Sequence, residues 1–174
     1  MKKILLLFVC LFVCWVLSAQ QRIKVACVGN SITFGAGIAN RDRDSYPSVL
    51  GQMLGKKYEV RNFGFSARTM LMKGDRPYMK EQMFKDALSY NPDIVIIKLG
   101  TNDSKSFNWK YKAGLPGDIQ TMINAFKAIP SKPKIYLCYP PKAYVSDASI
   151  NDSIIAAGVI PVIEQVAKRN KLPI

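Results

Sequence analysis

A regular alternation of short apolar runs with amphipathic segments predicts a three-layer α/β/α domain built on a parallel sheet. Three observations carry this reading. The apolar runs are β-branched and continuous rather than alternating, as in strands buried on both faces. The first three runs each stop at a glycine. Segments of helical periodicity lie between them, and no repeat, linker or low-complexity tract interrupts the pattern after residue 21.

Taken in order, residues 23–28 (IKVACV) form the first strand, ending at Gly29. Asp44, Ser45, Tyr46 and Pro47 offer a cap and an early proline, with Val49, Leu50, Met53 and Leu54 at helical spacing and Gly55 at the stop. Residues 58–63 (YEVRNF) make a second strand, ending at Gly64. A helix over 78–89 is closed by Asn91, Pro92 and Asp93. Residues 94–99 (IVIIKL) form the most apolar of the later strands and end at Gly100. Asp118 then caps a helix that aligns Ile119, Met122, Ile123 and Phe126 on one face. Residues 134–139 (KIYLCY) are a fourth strand, stopped by Pro140 and Pro141. A last helix starts near Ile160, with Pro161 in its first turn and Val162, Ile163, Val166 and Ala167 on its apolar side. Residues 170–174 read as the lead into a fifth strand.

The chain's 174 residues suit one compact domain. Met1, Lys2 and Lys3, an apolar run over 4–17, then Ser18 and Ala19, have the three regions of a secretory signal peptide. The run is too short for a transmembrane span. The expected organisation is therefore a signal peptide over 1–19 and one domain over 20–174, secreted or periplasmic, with no stable membrane insertion after cleavage. The formal net charge is +13, but its lysines and arginines are scattered as on a solvated surface, and no nucleic-acid-binding motif accompanies them. Cys27 and Cys138 lie in separate apolar strands and are expected to stay free. Two cysteines without a histidine are poor material for zinc, so no metal or cofactor is expected.

In a parallel sheet, chemistry gathers beyond the carboxyl ends of the strands, and three such ends stand out. In Gly29-Asn30-Ser31-Ile32-Thr33, glycine lets the chain turn and present the Ser31 hydroxyl; the segment fits neither a phosphate-binding loop nor a dinucleotide fingerprint. By itself Ser31 reads equally well as a turn cap. Gly64 closes the second strand and offers either turn punctuation or a bare N–H. In Gly100-Thr101-Asn102-Asp103, the Asn102 amide suits an oxyanion or a loop bridge.

Together, Gly-Asn-Ser31-Ile-Thr, Asn-Phe-Gly64 and Gly-Thr-Asn102-Asp resemble, in order, the first three sequence blocks of the SGNH (GDSL-type) hydrolases. Residues 91–99, 108–111 and 133–138 are similar to the carbohydrate O-acetylesterase branch, including sialate O-acetylesterase-like proteins. The resemblance implies a flavodoxin-like parallel sheet and a serine esterase. Ser31 would be the nucleophile. Its own N–H, the N–H of Gly64 and the side-chain amide of Asn102 would be the oxyanion donors. Asp103 would hold its loop, and Lys98 has no assigned role. The implied substrate is an acylated, O-acetylated carbohydrate or a small ester. The family's general base is a histidine in a late Asp-x-x-His block, and this sequence has no histidine. Lys98 is a weak substitute, since a strand lysine reaches for solvent. The expectation is a chain that lacks the last strand and helix, a fragment or truncated product. The alternative is a non-catalytic glycan-binding module in which Trp109 and Tyr111 stack on sugar.

Overall fold

The computed structural model describes residues 21–144 and 150–174. The expected export segment, 1–19, lies outside the described residues. Strand β1 (Ile23–Gly29) is followed by one-turn helices α1 (Ser31–Phe34) and α2 (Arg41–Asp44), then α3 (Tyr46–Leu54). After β2 (Tyr58–Gly64) come α4 (Gln82–Ser89) and β3 (Ile94–Lys98). Then α5 (Ser106–Trp109) and α6 (Leu115–Ala128) lead into β4 (Lys134–Leu137). A short α7 (Asp152–Ile154) runs through a π-helical turn into α8 (Ile160–Asn170). The four strands are all parallel in the order β2-β1-β3-β4, the order of flavodoxin-like doubly wound sheets.

The two sheet faces are covered unequally. Ala26, Val28, Phe63, Val95, Ile97, Ile135 and Leu137 point into the main core, under Phe84 of α4, the apolar side of α6 and Ile163, Val166 and Ala167 of α8. On the other face α3 approaches β2 through Gly51, where even a methyl group would touch Val60. That glycine contact, and not the Val49–Met53 side, is how α3 packs. Val49 and Met53, expected in the core, are 39% and 81% exposed. Ile96, Lys98, Tyr136 and Cys138 stay half-buried on the same face.

Three further expectations shift. The 78–89 helix divides into a 3-10 turn at Tyr78–Lys80 and α4. Asp118 is not the cap of α6, which begins at Leu115 with Pro116 in its first turn; its carboxylate instead accepts the Met72 N–H at 2.8 Å. Residues 172–174 form no assigned strand, yet the Leu137 N–H donates to the Pro173 carbonyl at 3.1 Å, as a fifth strand would begin. Cys27 and Cys138 are free thiols on strands separated by β3. Among the described residues no helix is long and apolar enough to cross a membrane.

The π turn Ile155–Val159 precedes Pro161, whose nitrogen has no hydrogen for the Ala157 carbonyl. It also seats Gly158 against Trp109: a Cβ there would lie 2.3 Å from the indole Cζ2. Gly158→Ala should therefore cost about 2 kcal/mol of unfolding free energy in urea titration, by overpacking a fixed aromatic ring. An unchanged midpoint would mean that the indole is free to move.

Candidate active site

Register brings the three strand ends to one edge. Gly29 pairs with Gly64 on one side and with Lys98 on the other, and the Phe65 N–H donates to the Gly29 carbonyl at 2.9 Å. Ser31, the 64–68 segment and Asn102 thus leave adjacent strands at their carboxyl ends. Ser31 opens α1, and Asn30 is its cap: Asn30 Oδ1 accepts the Ile32 N–H at 3.0 Å. Asn30 is buried, and its Nδ2 is without a partner among the described residues. An unpaired buried amide costs about 1–3 kcal/mol.

Gly64 occupies the site for a reason other than the expected one. Its N–H donates to Asn62 Oδ1 at 2.8 Å, so that hydrogen is already engaged. Asn62 Nδ2 in turn donates to the Thr33 carbonyl at 2.8 Å. A Cβ on Gly64 would stand 2.1 Å from the Phe34 nitrogen. Gly64 is needed so that β2 can press against the backbone of α1, and the N–H it was expected to lend is turned away.

The next turn supplies what Gly64 does not. Ala67 has φ of 67°, in the left-handed region, which costs a non-glycine residue on the order of 1 kcal/mol. Among the hydrogen bonds of the described residues, none uses the N–H of Ala67. Asn102, only 6% exposed, donates one Nδ2 hydrogen to the Arg68 carbonyl at 3.1 Å, leaving its second hydrogen free. A strained backbone amide without a partner among the described residues and a half-used side-chain amide therefore lie at the same short turn, residues 66–68. The sequence signal for Ala67 was weak, because alanine does not advertise a positive φ as glycine does.

Asp103 holds this arrangement. It is fully buried, and its two oxygens accept the Leu71 and Met70 N–H groups at 2.7 and 3.0 Å. Burial pushes its carboxyl up to about 6, against the two backbone donors, which pull it down. Asn108, also buried, donates to the Asn102 carbonyl and to Asp75 Oδ1, each at 2.9 Å, and accepts the Asp75 N–H. Arg68 pairs with Glu81 at 2.9 Å and stacks on Phe65.

Lys98 lies over the Tyr46 ring, 5.3 Å from its centroid, and burial lowers its pKa. Its ammonium is thus accounted for on the face that carries α3. Trp109 is half-buried with its indole packed on Gly158, and Tyr111 is 36% exposed.

Two measurements check this geometry. Ala67→Gly should leave stability level or raise it by up to about 1 kcal/mol, whereas Ala67→Val should cost more than about 1 kcal/mol. A folded-state pKa above the unfolded one means that Asp103 contributes stability below about pH 4 and loses it as pH rises through about 6. The stability difference between the native chain and Asp103→Asn should therefore shrink across that window in denaturant titrations. A constant difference would mean that the carboxyl ionises at its ordinary value.

Comparison with known proteins bears on the family and the fold. The family model described as GDSL-like Lipase/Acylhydrolase matches residues 27–174. An acetylxylan esterase of Xylanibacter ruminicola is 46% identical over 172 residues, covering 89% of this chain and 36% of the relative. The chain thus spans about a third of the length of that curated relative. Solved structures share the fold. The native aryl esterase of M. Smegmatis superposes with a TM-score of 0.72 at 21% identity, covering 87% of this chain and 82% of that one. A carbohydrate acetylesterase family member from Sinorhizobium meliloti gives 0.69 at 23%, covering 87% and 81%. With its strand-end serine, its paired amides and this match over most of its length, the chain belongs to the GDSL-like lipase/acylhydrolase family.

Proposed function

We propose that the protein is an exported serine esterase that removes O-acetyl groups from a carbohydrate through an acyl-enzyme at Ser31. The observation that carries the reading is that Ser31, the turn holding the unbonded Ala67 N–H, and Asn102 follow the carboxyl ends of three adjacent parallel strands. The 46% identity to an acetylxylan esterase supports the choice of acyl group and alcohol. Ser31 Oγ attacks the ester carbonyl, and the charge formed on the carbonyl oxygen is met by the Ser31 N–H, the Ala67 N–H and Asn102 Nδ2. Gly64 could join them only if Asn62 released its N–H. Collapse expels the sugar hydroxyl, and water then frees acetate from Ser31.

The hydroxyl proton needs a base, and the 174 residues hold no histidine. We propose that the base comes from outside these 174 residues, in keeping with a chain that spans about a third of the acetylxylan esterase's length; the buried Asn30 amide beside Ser31, without a partner among the described residues, supports this. Residues 1–19 serve as the export signal on this reading.

The test compares residues 20–174 with a protein extended through its natural downstream sequence, using p-nitrophenyl acetate. The extended protein should turn over, Ser31→Ala should abolish activity, and Asn102→Ala should lower kcat by about 100- to 1,000-fold. Residues 20–174 alone should be nearly inactive. Strong Ser31-dependent turnover by the short form would place the base within it, and activity surviving Ser31→Ala would remove Ser31 from the chemistry.

A further inference from the structure

Residues 105–112 (KSFNWKYK) interleave three lysines with three aromatic residues. The fold sorts them. Trp109 turns inward onto Gly158, while Phe107 and Tyr111 remain 48% and 36% exposed. The Lys105 ammonium lies 5.8 Å from the Phe107 ring centroid, and that of Lys110 lies 4.9 Å from Tyr111. Among the described residues, the ion pairs involve arginines only, so Lys73, Lys105, Lys110 and Lys112 meet no carboxylate within 4.0 Å.

Between this segment and the 71–73 loop lies an open cavity of about 320 Å³, lined by Leu71, Met72, Lys73, Lys110, Tyr111 and Asp118 among others. Asp118 carries the cavity's only carboxylate, and the Met72 N–H holds it. The segment is also tied to the active edge, because Asn108 bonds the Asn102 carbonyl and Asp75.

We propose that this shelf is a subsite for an acidic carbohydrate chain. Exposed aromatic faces suit the C–H faces of pyranose rings, and an ammonium about 5 Å from each ring suits a carboxylate on the same or the next sugar. A neutral glycan would leave all four lysines unanswered. Phosphate recognition favours forked arginines, and the shelf has none. The inference rests on the proposed esterase reading for the ester, and extends it to a substrate carrying uronic acid units.

Binding of the full chain is measured by calorimetry against polygalacturonate, neutral xylan and oligo-dT. Polygalacturonate should bind at least about tenfold more tightly than neutral xylan and weaken in about 0.5 M salt. Lys73→Ala with Lys110→Ala should weaken it about fivefold. Tyr111→Ala should weaken it as well, Tyr111→Phe should restore it, and thermal unfolding should not change in any of these. Lys168→Ala with Lys171→Ala, at the end of α8, should have no effect. An equal loss from that distant pair would mean diffuse charge attraction and overturn the proposal, as would equal binding of neutral xylan. Tighter binding of oligo-dT would reassign the shelf to nucleic acid. Because these readouts need no turnover, an inactive extended protein would sink the esterase reading while leaving the subsite standing.

Discussion

Two hydrogen bonds to one buried carboxylate organise the active edge. Asp103 accepts the N–H groups of Met70 and Leu71, and so ties the loop after β2 to the loop after β3. The loop after β2 has only an isolated Thr69–Pro77 bridge and that after β3 only the one-turn 3-10 helix Asn102–Ser104, and a buried carboxylate is costly unless its oxygens are paired. Asp103 therefore works as a clamp whose failure would cost both loops. The neighbouring bonds depend on it: Asn102 reaches Arg68, Asn108 reaches back to Asn102, and Asp118 receives Met72.

With the loops clamped, the edge can hold strain. Ala67 keeps a positive φ because the residues on either side are over-determined, Phe65 by Gly29 and Arg68 by Asn102, Glu81 and the Phe65 ring. Strain held this way accompanies an amide that no group among the described residues engages, which is the property the proposed oxyanion site needs. Gly64 and Asn62 act one layer below, fixing β2 against the turn that carries Ser31.

The sheet's two faces tell different stories about support. One is closed by α4, α6 and α8 over a continuous core. The other has α3 over β2 and, through Tyr46, over β1, with Met53 81% exposed and Tyr136 and Cys138 half-buried. Lys98 partly compensates by laying its stem and charge over Tyr46.

Much of this was legible in the residues alone. Apolar runs, three ending in glycine and the fourth at a proline pair, located all four strands and their shared carboxyl edge, because parallel strands must bury both faces. Ser31 and Asn102 could be named for the same reason. Their side chains carry the proposed chemistry, and they sit where strands stop. What the sequence could not decide was which backbone amide is free. An N–H carries no sequence signature, and whether it faces solvent depends on what a distant residue offers it. Tertiary structure gave Gly64's hydrogen to Asn62 and left Ala67's bare. It likewise turned Trp109 into the core and Tyr111 out, a choice made by the space at Gly158 and not by the side chains themselves.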